Sequence, residues 1–386
     1  MDQLAGSSRL LRAINETAAL GHLLERGPLT RGDLRELTGL AKPTTSDVLR
    51  RLQDAGLAKV VGRTSGGPGP NAEVYAVNPD AAYTAALSVR ARDLSLATAV
   101  CDLAGTVRAR REITVDAQPA DDPVGAVADA VQAACRHARI PLRRLDHVQI
   151  GVPGSYDERA DTIHYTDVPG WSRPGLIGEI RRRLRTEVSV DNDANLAAVA
   201  ERTRGIATDA ESFALLWLGE EGLGLAIDLG RTLLRGARGG AGEIGYMPVG
   251  LPSTERGRAV VHDFHELVSG TAVLALAREH GISASSGAEA VAAPGAHAEF
   301  LAALATRVAV GLAAVIAVLD PPLIVLSGDV GQAAGAPLAE AVMVALRKLS
   351  VLQTTVAATG VSDDPVLLGA LDTSLSAVRA TLLGRR

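Results

Sequence analysis

Apolar positions recur at helical spacing through the first fifty-odd residues and then change period. In "SSRLLRAINETAALGHLLERG" apolar side chains fall at 10, 11, 14, 18, 20, 23 and 24, so one helix is expected, stopping at Gly27. "TRGDLRELTG" opens on a capping threonine, Thr30, and closes on Gly39. "AKPTTSDVLRRLQDAG" carries Pro43 in its first turn, where proline is tolerated, and ends at Gly56. Gly and Pro then break the pattern across "RTSGGPGPNAEVYAVNPDA" (63–81), between two short runs of strand type. From residue 85 the grammar is α/β. Two or three hairpin-linked strands turn at Asp102–Gly105, followed by a helix near 121–139 and the strand "HVQIGV". A helix at 174–185, the strand "EVSVD", a helix at 194–204 and a hairpin across "FALLWLGEEGLGLAIDL" come next. The last third reads as mostly helical around a buried-type strand, "LIVLS" (323–327). A strand meander followed by crossover helices, twice over, predicts two similar α/β halves flanking a cleft.

The boundary expected from this change of grammar divides residues 1–79 from residues 80–386. Helices at 30–38 and 41–55, joined by a turn of three or four residues at Gly39, have helix-turn-helix proportions, and the two following strands have those of a wing. Val48, Leu52 and Ala55 share one face of the second helix, while Ser46 and Arg50 point the other way with Lys42 nearby. Arginine reads a guanine edge, and short hydroxyls and lysine reach phosphates or bases. Lys42, Thr44, Thr45, Ser46 and Arg50, with Lys59 and Arg63 on the wing, are therefore the expected contacts to a double-stranded DNA operator. Paired readers imply a homodimer or homotetramer.

Charge sharpens the division. The chain carries −5 overall, yet residues 1–79 hold ten Lys and Arg against eight Asp and Glu. Within 42–63 five basic residues face only Asp47 and Asp54, a modest bias suited to a DNA reader on an acidic body. A hydrophobic content of 47% with 22% charged residues belongs to a soluble globular protein. The longest apolar run, "VAVGLAAVIAVL" (308–319), is too short to span a bilayer, so no membrane partner is expected. Only two cysteines occur, Cys101 and Cys135, without a CxxC spacing. That argues against a disulfide framework and fits a reducing cytoplasm.

Four stretches in the larger domain carry a family resemblance: "IGVPGSYD" (150–157), "VPGW" (168–171), "VDNDANLAAVAE" (190–201) and "GGAGEIGYMPVG" (239–250). In order and spacing they resemble the ROK family of repressors, open reading frames and sugar kinases. With the winged helix in front, the chain resembles the repressor branch. The resemblance implies a winged helix-turn-helix followed by a two-lobed, actin-like, hexokinase-type domain with a sugar cleft between its lobes. It places the kinase base on Asp193 and sugar-hydroxyl ligands on Asn192 and Glu243. Gly154, Asp167, Tyr246 and His265 stand at further positions of the implied site, Asp167 where an Asn often precedes the Trp. A carboxylate there accepts a hydrogen bond from a hydroxyl strongly, and takes its proton only if a phosphoryl acceptor lies in line.

Departures from the family pattern decide between activities. The hairpin expected to approach nucleotide phosphates reads "LSVRARDLS" (87–95), without glycine and with Arg90 and Arg92 in its turn. The second phosphate loop reads "LGEEGLG" (218–224), where Glu220 and Glu221 would repel a triphosphate. The family's zinc site lacks its cysteines, and Tyr246 replaces its histidine, so that zinc site cannot form. His262 and His265 make an HxxH that is more simply an ordinary pair on a helix. The expectation is a regulator without catalysis, cofactor or metal, and with a possible sugar effector. A regulator with no small-molecule ligand and an active sugar kinase are the rival readings.

Overall fold

The computed structural model describes residues 2–64, 72–91, 93–114, 122–249, 253–255, 258–260, 262–293 and 298–384. Arg92 and the tip of the wing (65–71) lie outside the described residues.

The first domain begins with α1 (Asp2–Arg26). Its second half buries Leu20 and Leu23, whereas Leu10, Leu11 and Ile14 are exposed, so only part of the expected apolar stripe is packed. α2 (Arg31–Thr38) starts on a capping box in which Thr30 and Asp33 exchange hydrogen bonds, and stops at Gly39 in the left-handed region. After a short turn, α3 (Lys42–Asp54) has proline in its first turn and buries Thr45, Val48, Leu49 and Leu52. Ala55 is exposed at the C-cap rather than packed inward. β2 (Ala58–Arg63) and β3 (Glu73–Val77) form the wing, and a two-residue β1 (Leu29–Thr30) pairs with β3 on its other side.

Each lobe of the second domain repeats one sheet plan. In the first lobe β4 (Tyr83–Arg90), β5 (Ser95–Asp102) and β6 (Val107–Thr114) form an antiparallel meander. β7 (Leu145–Val152) then adds parallel to β4, and β10 (Glu187–Asn192) parallel to β7. A short hairpin, β8 (Ser155–Asp157) and β9 (Thr162–His164), follows β7. In the second lobe β11 (Phe213–Leu218), β12 (Leu223–Leu229) and β13 (Thr232–Leu233) are antiparallel. β16 (Leu323–Ser327) and β17 (Thr355–Ala358) extend that sheet in parallel. Between them the chain forms a small hairpin, β14 (Ser253–Glu255) and β15 (Arg258–Val260). The matching strand orders bear out the expectation of two similar halves.

α4 (Pro123–Ala138) and α5 (Leu176–Leu184) cover one face of the first sheet, where Leu87, Val148 and Ile150 join Val127, Val131 and Ile180 in one core. α6 (Asp193–Arg204) lies between the lobes, with Leu196 turned to the first sheet and Ala194, Ala197 and Ala198 to the second. The second lobe carries α7 (Phe264–Val268), α8 (Gly270–Glu279), α9 (Gly287–Ala292), α10 (Ala298–Leu319) and α11 (Gly328–Leu349). The apolar run at 308–319 is thus the end of a 22-residue helix, long and apolar enough by itself to cross a membrane. Its inward face, Phe300, Leu304, Val308, Leu312 and Ile316, is buried in the second-lobe core. Each such leucine or isoleucine contributes about 1.5–3 kcal/mol by leaving water.

α12 (Pro365–Leu382) returns to the first lobe, a connection the hydrophobic pattern alone does not reveal. Its start packs Val366 and Leu367 against Ala86, Ala99 and Leu196. Its far end places Val378 and Leu382 in the winged-helix core beside Leu20, Leu23 and Tyr75. Thr17 donates to Leu383 O at 3.2 Å, and Arg379 to Leu103 O at 2.9 Å. One helix therefore joins the interlobe region to the winged-helix domain.

Candidate ligand cleft and nucleic-acid interface

β10 ends where α6 begins, and the sequence at that joint sets the site. Asn192 is the N-cap; its Oδ1 accepts from Ala194 N at 2.8 Å, and so does Asp193 Oδ1. Asn192 Nδ2 reaches across to Gly154 O at 3.1 Å, tying the joint to the "GVPG" turn. The capping role of these residues and their exposure to the cleft thus coexist. Gly154 has φ 131, and a Cβ there would lie 2.5 Å from His164 O, so no other residue fits. Glu243 accepts a short hydrogen bond from Ser155. It follows Gly242 (φ 91), where a Cβ would fall 1.7 Å from Leu225 O. Glycine lets this loop lie on β12 and deliver the carboxylate.

These residues line an interlobe cleft of about 510 Å³, together with Tyr165, Asp167, Trp217, Gly219, Asp329 and Asp364 among others. Asn192, Asp193 and Glu243 are half-buried, and Asp167 is exposed at the mouth. Burial pushes the Asp193 carboxyl up to about 7, with the Glu243 charge adding to it and the Ala194 amide opposing. Burial also raises Glu243, against the hydrogen bond from Ser155. Such a pair offers acceptors, and near neutrality a donor, to a polyhydroxylated ligand.

Two of the expected ligand residues lie further out. Tyr246 is 61% exposed and meets Tyr165 at a tilt, with ring centroids 5.2 Å apart. It backs a cleft-lining ring rather than lining the cleft. His265 sits on α7 behind Gly245, and it too is absent from the cleft wall. His262 is held by Glu266, one turn on, at 2.6 Å.

Elsewhere in the cleft wall opposed charges meet. Arg90 is bound by Glu112 at 2.5 Å and by the nearly buried Asp364 at 2.6 Å. Glu220 turns its carboxylate onto the amides of Gly287 and Ala288, at 3.1 and 2.6 Å, and its own amide donates to Asp329 at 3.3 Å. The motifs did not point to Asp329, Gln332 or Asp364 as cleft residues; the only available signal was their place just after a buried strand or before a capped helix.

On α3, Lys42 and Arg50 are exposed, and Thr44 and Ser46 half-buried. Thr45 departs from its expected place: it is 1% exposed and its hydroxyl donates to Ala41 O, because it shares an i, i+3, i+4, i+7 stripe with Val48, Leu49 and Leu52. Arg50 is paired with Asp47 at 2.6 Å and Asp54 at 2.9 Å. Lys59 and Arg63 stand exposed on β2.

The ROK family model matches residues 88–375, and a MarR family model matches residues 11–66. The chain is 23% identical over 239 residues to the xylose repressor of Bacillus subtilis (strain 168), covering 62% of this chain and 61% of that one. It is 24% identical over 247 residues to the DNA-binding transcriptional dual regulator NagC of Escherichia coli (strain K12), covering 63% and 59%. The matches thus span about three fifths of these relatives' length. A solved ROK family transcriptional regulator, a homolog of the E. coli MLC protein, superposes with a TM-score of 0.74 at 18% identity, over 97% of this chain and 99% of that one. A ROK family glucokinase from Streptomyces griseus, in complex with glucose and AMPPNP, superposes with a TM-score of 0.60 at 22% identity, over 76% and 99%. The matched model spans most of the larger domain and both lobes of its cleft, and on that ground this chain belongs to the ROK family.

Proposed function

We propose that this protein is a DNA-binding transcriptional repressor of the ROK type, acting in the cytoplasm as a homodimer or homotetramer on a two-fold operator. It senses a sugar in the cleft without phosphorylating it. The observation that carries the reading is α12, which has Pro365 and Val366 at the cleft wall and Val378 and Leu382 in the winged-helix core. A sugar that prefers one interlobe arrangement shifts the placement of the reading helices by its difference in affinity for the two states. Asn192, Asp193 and Glu243 supply hydrogen bonds to sugar hydroxyls, with Gly154 and Asp167 at the same wall; Tyr246 and His265 act from behind it. Lys42, Thr44, Ser46 and Arg50, with Lys59 and Arg63, face DNA. The xylose repressor and NagC are named as regulators, which favours this reading over the kinase one. Against phosphoryl transfer stand the carboxylates Glu220, Asp329 and Asp364 in the cleft wall, which disfavour a triphosphate there.

Thermal unfolding against a panel of sugars, sugar phosphates, amino sugars and ATP tests this. A ligand bound only by the folded chain adds about 2.7 kcal/mol at a hundred times its Kd. One sugar is expected to raise the midpoint in the native chain and not in Asp193→Ala. No shift with any compound would favour a regulator that answers to a protein partner, and sugar-dependent ATP turnover lost in Asp193→Asn would establish a kinase.

A further inference from the structure

A second cavity, of about 540 Å³, runs along the whole of β10 and shares only Asn192 with the cleft. Its floor continues a sheet face of mixed character, on which β4 places Thr84 and Ser88 either side of Ala86. On the sheet face turned to α12, β4 and β5 present Ala86, Ala97 and Ala99 to an apolar cluster. The register continues that face through Gln149 and His147 on β7. Gln149 is 1% exposed and His147 is 8% exposed. His147 is fixed between Ser374 Oγ at 2.7 Å and Ser189 Oγ at 3.0 Å. The amide nitrogen of Gln149 reaches only Ile150 O, at 3.4 Å, and the buried hydroxyl of Thr373 has no partner among the described residues. A buried polar group left without a partner costs free energy, and beside the cavity the Thr373 hydroxyl is placed to meet a ligand's polar group.

The rim carries as many carboxylates as arginines, four of each, but they are not all paired with one another. Arg235 is committed to Asp191, at 2.7 Å, and Arg181 donates to Val188 O at 2.9 Å. Arg159 and Arg238 are exposed at the same rim and make no ion pair among the described residues. Of the lining carboxylates, Asp191 is taken by Arg235, and Asp157 accepts from the amides of Arg159 and Ala160. Glu158 and Glu187 remain as acceptors for hydroxyls.

We propose that this cavity is a second small-molecule site, for a polyhydroxylated ligand bearing one oxyanionic group: a sugar phosphate or a sugar acid. Gln149 and Thr373 meet its hydroxyls, and the Arg159 and Arg238 forks meet the oxyanion, for which guanidinium geometry is suited. The site does not depend on the sugar reading of the cleft, since its polar floor and its cations belong to different residues. It is not isolated from it either: β10 carries Asp191 in this cavity and ends at Asn192, beside Asp193 of α6 in the cleft.

Calorimetric titration of the full chain with glucose 6-phosphate, gluconate, inorganic phosphate and glucose tests the assignment. Glucose 6-phosphate or gluconate is expected to bind the native chain and Asp193→Ala alike, and at least tenfold more weakly to the Arg159→Ala/Arg238→Ala double variant. Whichever of the two binds more tightly identifies the oxyanion. Both arginines are exposed, so the double variant should keep the native unfolding midpoint, which is checked in parallel. Inorganic phosphate binding as tightly as the sugar phosphate would overturn the proposal, leaving a surface anion patch. Binding lost in Asp193→Ala would return the ligand to the cleft, and no binding by either anionic sugar would also overturn it. Glucose binding abolished in Asp193→Ala reports on the cleft separately.

Discussion

The proposed reading helix, α3, and the proposed ligand cleft use the same residue chemistry in opposite ways. On α3 the charged groups are exposed and satisfied by neighbours one turn away, Arg50 by Asp47 and Asp54, and Arg51 by Asp47 at 2.9 Å. In the cleft Asp193, Glu243 and Asp364 are half-buried and drawn from stretches far apart in the chain, with Arg90 meeting Asp364 across 274 residues. The contrast shows up in proton affinity. The hydrogen bond from Arg50 holds Asp47 below the usual carboxylate range, whereas burial lifts Asp193 to about 7. A surface made from one helix keeps its chemistry when its surroundings shift. A site made from two lobes has chemistry that depends on how closely they approach.

The largest test of that contrast is steric. A methyl group at Gly242 would overlap Leu225 O and would also force an L residue to φ 91. Gly242→Ala should cost about 3 kcal/mol or more in chemical denaturation, because strain and overlap add. Gly32→Ala, on α2, meets only Thr30 Oγ1 at 3.4 Å and should be neutral or stabilising by up to about 1 kcal/mol. Equal effects at the two positions would mean that the loop carrying Glu243 is free to move, and that the cleft is less fixed than its glycines imply.

The reading surface should respond at the next level down. Arg50→Ala should weaken operator binding about tenfold or more, as loss of one bidentate base contact does. Asp47→Ala removes both a repulsive charge and the partner that holds Arg50 on its own helix, and should tighten binding to any duplex while flattening sequence preference. Fluorescence anisotropy with operator and scrambled DNA, at fixed salt, measures both. An unchanged affinity and footprint in Arg50→Ala would displace α3 from the groove.

Legibility in the sequence followed the same divide. Local order was readable: the cap at Thr30, the stop at Gly39, proline in the first turn of α3, and both hairpins followed from period and turn chemistry. Thr45 was readable in principle, since its spacing from Val48, Leu49 and Leu52 is helical, but residue type suggested a polar face. The cleft residues Asn192, Asp193 and Glu243 were recoverable because each sits in a short stretch of family character. Asp364, Gln332 and Asp329 were not, because nothing local marks which lobe α12 or the start of α11 will face. The polar floor under α12 was hidden for a related reason: His147 and Gln149 alternate with Val148 and Ile150 as in any half-exposed strand. Only the fold reveals that both faces are covered.

The smallest effect concerns protons, and its sign separates the two regions. Asp193 is bound more tightly by its proton in the folded chain than in the unfolded one, so its contribution to stability is full below about pH 4 and is lost as pH rises through about 7. Asp47 has the opposite sign; its contribution is present above about pH 4 and lost only in stronger acid. Between pH 4 and 7, therefore, Asp193 acts and Asp47 does not. Asp193→Asn should become more stable relative to the native chain across that window, by on the order of 1 kcal/mol given the group's access to solvent. A sugar hydroxyl donating to the ionised carboxylate should bind more tightly as pH passes through about 7, since the charge-assisted bond is the stronger one. A flat difference between native and Asp193→Asn midpoints would mean that the carboxylate is solvated at all pH values. The cleft would then be a surface feature like α3, and the contrast between the two regions would fail where it is most chemical.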